Sequence, residues 1–388
     1  MKRRLFLLGP AGLGAGRLMQ GATRRRPRVA CILNVYFPNS HADVFMSRLL
    51  DGYRLNGEWH APRVDVASLY VDQFPVNDMA REQAQEHGIP LFPTVAEALR
   101  LGGAKLAVDG MAVIGEHGSY PRTPRGNFMY PRKRYFDEIT RVMKEDGRIV
   151  PLYSDKYFAY EWKDAKEMYD TVRAMKIPFM AGSTLPLTWR RPPLEFDRGT
   201  HFRELLAVSN SDLEEHAYHA IEMLQAMAER RAGGETGVAR VRYAESEEVW
   251  DLARQSAWSR DLLDAALTRR VNPPPVNNHE PPQAFLIRYR DGTPATVINL
   301  NSMTRDFLFA ARVAGHTEPV SSCFYIQLYL HNHWSFMVHN FENLVLNRRL
   351  PNPIERTLVA NGIMLAGLES RSKGGQWIDT PEIDIRYS

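Results

Sequence analysis

Between residues 28 and 182 short apolar runs alternate with amphipathic stretches, and this alternation constrains the fold more than any other feature of the chain. Runs at 28–36, 64–71, 109–115, 148–153 and 178–182 have the length and β-branched content of buried strands. Segments 41–53, 77–87, 94–102, 132–145 and 161–175 place apolar residues at helical spacing. Strands separated by helices of this length pair in parallel through right-handed crossovers, with helices covering both faces of the sheet.

After Thr184 the rhythm changes. Residues 184–199 carry Pro186, Pro192 and Pro193 and read as an interdomain connection. A helix is predicted over 212–231, a strand over 237–244, a single helix over 245–268 and a Pro- and Asn-rich loop over 272–282. Apolar-alternating runs at 283–290, 294–302, 305–314 and 320–331 predict an open, mostly antiparallel sheet, with helices over 335–347 and 353–370 closing the chain. The expected fold class is therefore an α/β Rossmann-like N-terminal domain followed by an α+β C-terminal domain. The division is a leader over 1–27, the first domain over 28–185 and the second over 186–388.

A chain of 388 residues with 44% apolar and 24% charged residues is long enough for two cores. Its formal charge of +4 arises at the N-terminus, from Lys2, Arg3, Arg4, Arg17 and the run Arg24, Arg25, Arg26, which leaves no case for a nucleic-acid surface. No uninterrupted apolar run reaches membrane-spanning length. The pattern Arg3-Arg4-Leu5-Phe6-Leu7, followed by a short apolar stretch and small residues at Gly21 and Ala22, reads as a twin-arginine signal. The expectation is export to the periplasm, with a basic arm on a cytoplasmic protein as the alternative. Cys31 and Cys323 lie in apolar runs and read as buried thiols.

The turn after the first strand carries Asn34, Tyr36 and Asn39 where a dinucleotide-binding unit needs glycines for its backbone amides to approach a pyrophosphate. Phe37-Pro38 stiffens that turn and removes a donor. Asp72 ends the next strand, where an acid can bind ribose hydroxyls and favour NAD over NADP. After the strand at 109–115, the segment Gly115-Glu-His-Gly-Ser-Tyr-Pro121 and an insertion through Tyr130-Pro-Arg132 are rich in arginine and aromatic residues. This is either a lid lining a nicotinamide or sugar site, or a packed surface loop.

Four places carry a family resemblance. Val66 to Asp72 with Ala80 to Pro90, then Pro93 to Leu99, resemble a family's acid-ending strand and the helices after it. Ser154-Asp155-Lys156 stands in place of a Glu-Lys-Pro motif, with Tyr157 where the proline would be. Glu215-His-Ala-Tyr-His219-Ala-Ile-Glu222 resembles a catalytic-histidine helix, and Phe341 to Pro351 through Ser370 resembles the closing helices. The family is Gfo/Idh/MocA, the relatives of glucose-fructose oxidoreductase and inositol dehydrogenase.

The resemblance implies a nicotinamide-dependent oxidoreductase acting on a sugar, cyclitol or related polyol. His219 is implied as base, Lys156 as assisting acid and Glu215 as orienting carboxylate. NAD would meet Asn34, Tyr36, Asn39, Asp72, Glu116 and His117; substrate would meet Tyr130, Arg132, Trp189 and Arg190. A homo-oligomer through the C-terminal sheet is also implied. The alternatives are a carbohydrate lyase, hydrolase or isomerase, or a binding protein, that has lost the dinucleotide and has either no cofactor or a divalent metal.

The residues support part of this independently. A lysine at the carboxyl end of a parallel strand lies where open α/β sheets bind ligands. Glu215 and His219 are four apart and share a helix face, so the carboxylate can orient the imidazole. Against this, a strand-end lysine is ordinarily a solvated charge, and one helical histidine is ordinarily structural. His331, His333 and His339 lack the Cys or Asp partners of a zinc site, so no metal is assigned, although Glu116, His117, Glu215 and His219 are able to converge across a cleft.

Overall fold

The computed structural model describes residues 25–211, 213–274, 280–327 and 330–388, so nearly all of the leader lies outside it. In the first half β1 (Arg28–Leu33) runs into α1 (His41–Asp51), and a small hairpin of β2 (Tyr53–Leu55) and β3 (Glu58–His60) leads to β4 (Asp65–Val71). Then follow α2 (Ala80–Glu86), α3 (Val95–Arg100), β5 (Gly110–Ile114), α4 (Arg132–Glu145), β6 (Leu152–Asp155), α5 (Trp162–Met175) and β7 (Phe179–Gly182). The five long strands form one parallel sheet in the order β4-β1-β5-β6-β7. β1 is buried almost throughout, as a strand covered on both faces must be.

The second half contains β8 (Trp189–Arg191), β9 (Phe202–Ser209), α6 (Glu215–Ala228), β10 (Val238–Glu245), α7 (Glu247–Arg254) and α8 (Arg260–Leu267). β11 (Gln283–Tyr289), β12 (Pro294–Asn299), β13 (Phe307–Val313), β14 (Val320–Tyr325), α9 (Trp334–Asn347), α10 (Glu355–Ser372) and β15 (Ile378–Asp379) complete it. The sheet order is β15-β10-β11-β12-β9-β13-β14-β8, antiparallel except where β12 meets β9. The expected fold class is met. No helix among the described residues is long and apolar enough to cross a membrane.

Three local expectations need correction. The segment read as a connection contains β8, which pairs with β14 as an edge strand. The helix expected over 245–268 is two helices, because the chain turns at Ser256 with φ 59°. The central strands of the second sheet carry helices on both faces, where an exposed face was expected. Alternate residues of β9 and β13 pack on α6 and α10 through Leu205, Ala207 and Phe309. Their neighbours Leu206, Val208 and Leu308 pack under α7 and α8 with Trp258 and Leu262. α7 and α8 of the same chain thus cover the centre of that second face.

The closing helices tie the halves together. α9 buries Trp334, Val338 and Phe341 with Phe45 and Leu33 in the core of the first sheet. α10 is buried on nearly every side, and its Asn361 accepts from the backbone amides of Phe158 and Ala159 just beyond β6.

Candidate active site

In the first sheet the chain leaves β1 toward β4 on one side and returns to β5 on the other, so the switch point lies beyond the carboxyl ends of β1 and β5. A pocket of about 210 Å³ opens there between the two halves. The first half contributes His41 from the start of α1, His117 from the loop after β5 and Lys156 from the end of β6. The second half contributes His216 and His219 from α6, Phe307 from β13, and His331, His333 and Trp334 at the approach to α9. Six of the twelve histidines of the chain line this one space, too many to be scattered surface residues.

The backbone is also unusual there. Asn39, His117, Lys156 and His331 all line the pocket, and all have left-handed φ values, of 63°, 62°, 63° and 48°. Such conformations cost about 1–3 kcal/mol each and persist where surrounding structure enforces them, most often at functional sites.

Lys156 and Glu116 are both about 2% exposed, and Lys156 Nζ lies 2.8 Å from Glu116 Oε2. Arg132 Nη2 lies 3.2 Å from the same oxygen. Burial alone would push the Glu116 carboxyl up, but the Lys156 and Arg132 charges overcome it and hold the group at about 2. Glu116 is therefore a fixed anion between two buried cations.

On the neighbouring strand end, Asp155 Oδ2 lies 2.6 Å from His41 Nδ1, and Tyr153 donates its hydroxyl to Asp155 Oδ1 at 3.2 Å. Across the pocket, Ser183 Oγ holds His219 Nδ1 at 2.6 Å, so exchange with a substrate runs through Nε2. Burial, then the charges of Lys156 and His41, hold His219 well below the ordinary histidine value. Burial likewise lowers His117 to about 4 and His333 to about 3. These imidazoles are neutral near pH 7 and able to accept protons or bind a cation.

Of the predicted catalytic residues, Lys156 and His219 meet in the pocket. Glu215 opens α6, but its side chain lies outside the described residues. The carboxylate near His219 is Glu222, which accepts from Ser183 N and from Thr357 Oγ1 at 2.7 Å. Burial raises Glu222 to about 7. His41, Asp155 and Ser183 were not singled out from sequence; the signals available were the adjacency of Asp155 to Lys156 and the place of His41 at the first helix turn.

The four predicted substrate residues stand outside the pocket lining. Arg132 is consumed as counter-ion to Glu116 and lies over the Tyr157 ring at 4.1 Å. Tyr130 is 2% exposed and stacks on Phe128. Trp189 packs edge-on against Phe336 and donates to Asn56, and Arg190 pairs with Glu195. His339 lies elsewhere, close to Tyr53 and Arg63.

At the start of α1 protein groups take the backbone donors, and beside them a cavity of about 380 Å³ is lined by Val35, Phe37, Gln73, Phe74, Gly118 and Ser119. At the N-terminus of α1, Ser40 Oγ accepts from the amides of Phe37 and Asp43, and Asp43 accepts from Asn39 N at 2.7 Å. An acid thus sits where a pyrophosphate would need free amides. Asn34 is closed by Tyr135 and the His117 carbonyl, Tyr36 is 1% exposed, and Asp72 is held by Tyr70, Tyr120 and Arg134. The amides at the start of α1 that a pyrophosphate would use are thus taken by Ser40 and Asp43.

No protein-family model and no curated protein sequence matches the chain. Solved structures do. GenD2 from gentamicin A biosynthesis, in complex with NAD, has a TM-score of 0.56 and 12% identity, over 96% of this chain and 99% of that one. Myo-inositol dehydrogenase from Lactobacillus casei, in complex with NAD(H) and myo-inositol, has a TM-score of 0.58 and 10% identity, over 94% and 98%. Myo-inositol 2-dehydrogenase from Lactobacillus plantarum gives 0.57 and 9%, over 92% and 99%. At these identities the likeness is one of fold: the chain has the two-domain architecture of the Gfo/Idh/MocA-type inositol and sugar dehydrogenases.

Proposed function

We propose that the protein carries out acid–base chemistry on a small, neutral, polyhydroxylated molecule of the sugar or cyclitol class, bound in the histidine-lined pocket. The observation that carries this reading is that Lys156 from one domain and His219 from the other line a single cavity. His219, neutral and held at Nδ1 by Ser183, accepts a proton from a substrate hydroxyl or acidified C–H through Nε2. Lys156, fixed by Glu116, donates a hydrogen bond to the oxygen on which charge develops. Among the described residues no arginine lines the pocket and the one ammonium there is paired with Glu116, which disfavours an anionic substrate.

A second reading, a nicotinamide-dependent dehydrogenase of the same substrates, is supported by the fold likeness to NAD complexes. The capture of the α1 amides by Ser40 and Asp43 favours redox-neutral lyase or isomerase chemistry instead. Saturable quenching of NADH fluorescence selects the dehydrogenase; its absence at millimolar nucleotide selects the first reading. In a screen of sugars and cyclitols for turnover, His219→Ala is expected to lower the rate constant about 10²–10⁴-fold while the chain stays folded. Turnover unchanged in His219→Ala and in Lys156→Met overturns the assignment.

A further inference from the structure

We propose that His41 is a second catalytic imidazole, and that the site removes water from a neutral hydroxylated ketone of the sugar or cyclitol class. His219 takes the proton beside the carbonyl, and His41 protonates the departing hydroxyl. This assignment deepens the acid–base reading of the pocket and rests on it. His41 lines the same cavity as His219 and Lys156. Its Nδ1 lies 2.6 Å from Asp155 Oδ2, which leaves Nε2 as the nitrogen that meets a substrate.

The two imidazoles are held for opposite tasks. A hydroxyl, Ser183 Oγ, holds His219, whereas a carboxylate holds His41 and supports the charge of a doubly protonated ring. The Asp155 side chain is 1% exposed and acts on a substrate only through His41, whose own side chain is 18% exposed. The Trp334 ring at 4.7 Å and the His117 ring at 5.2 Å meet His41 edge to face and fix its orientation.

The spacing of the rings selects the reaction. The ring centres of His41 and His219 stand 6.2 Å apart. A ring nitrogen reaches its hydrogen-bond partner about 4 Å from the ring centre, so two rings flanking one carbon from opposite faces stand roughly 8 Å apart. The shorter spacing suits two neighbouring substrate atoms, a C–H and the hydroxyl on the next carbon. The proton passes to His219 Nε2, and the electron pair of that C–H bond forms the new C=C bond through an enolate whose oxygen Lys156 stabilises. The C–O bond of the neighbouring carbon breaks, and the hydroxyl leaves as water with the proton of His41 Nε2. One water is lost, no oxidant or reductant is consumed, and solvent carries the proton from His219 back to His41.

The full chain is incubated in D2O with a cyclitol monoketone and with a panel of neutral ketohexoses. Nuclear magnetic resonance follows exchange of the proton beside the carbonyl, and ultraviolet absorption follows the unsaturated ketone. Wild type is expected to do both, and His219→Ala to lose both. His41→Gln is expected to lower formation of the unsaturated ketone about 10²–10⁴-fold, far more than it slows exchange. An analogue with fluoride in place of the leaving hydroxyl needs no proton to depart, so most of the His41→Gln loss is expected to disappear with it. Circular dichroism verifies folding, and Asp155→Asn, which leaves the ring in place, replaces a variant that unfolds. Wild-type elimination in His41→Gln, equal losses of exchange and elimination, or exchange that yields only isomerised sugar overturns the role of His41 and leaves His219 as base. No exchange by wild type on any of these compounds overturns both.

Discussion

His41 Nδ1 and Asp155 Oδ2 stand 2.6 Å apart, joining the first turn of α1 to the end of β6. A carboxylate on one imidazole nitrogen fixes the ring and directs the other nitrogen. Asp155→Asn keeps the shape but removes the charge. Its turnover is expected to fall about tenfold to a hundredfold, with KM moving less than kcat. Steady-state kinetics on the folded variant check this; an unchanged kcat removes Asp155 from the machinery.

The buried Glu116 anion balances two buried cations. Glu116→Gln strands Lys156 and Arg132 at 2.8 and 3.2 Å from an amide, and is expected to cost about 3–5 kcal/mol in denaturant unfolding. Adding Lys156→Met to that variant removes one stranded charge and is expected to restore part of the loss. A double variant no more stable than Glu116→Gln would show that the three groups are not coupled.

Glu222 makes a distinct pH signature. Its carboxyl titrates at about 7 in the fold against an ordinary 4.5, because burial disfavours the anion. A raised folded value means the folded state binds the proton more tightly, so this contribution to stability is complete below pH 4.5. It is lost as pH rises toward and through 7. Glu222→Gln cannot ionise. Its stability relative to wild type is expected to improve between pH 4.5 and 7.5, as read from urea midpoints; a pH-independent difference contradicts the assignment.

Gly182 ends β7 beside this carboxylate. Its φ is 122°, and a Cβ there would lie 2.3 Å from Glu222 Oε1. Gly182→Ala is expected to destabilise the protein by at least about 1–3 kcal/mol from the backbone conformation alone. It should also disturb Ser183 and hence His219, lowering turnover beyond what the stability loss explains.

The outer face of the second sheet is sealed by α7 and α8. Leu263→Ala, fully buried in that layer, is expected to cost about 2–5 kcal/mol. Light scattering is expected to show no dimer built on this face; a dimer that dissociates on substitution of residues in β9 or β13 would contradict that.

Much of the architecture is legible in the sequence. The alternation of strand and helix from Arg28 to Gly182 depends on local periodicity, and periodicity is written residue by residue. Lys156 was accessible because strand ends mark the ligand edge of a parallel sheet, and His219 because the helix around it resembles a known one. Asp155 lay in plain view next to Lys156 but gains meaning only from His41, 114 residues earlier.

What the sequence alone determined is the class of fold, the order of its main elements and four residues of the pocket, Asn39, His117, Lys156 and His219. Only the tertiary structure decided that six histidines converge, that Arg132 turns inward to Glu116, and that α7 and α8 cover a face that period-two patterning marks as apolar. The physical reason is that hydrophobic periodicity states which side of an element must be buried but not against what. Partners distant in the chain are chosen by the closing of the whole core.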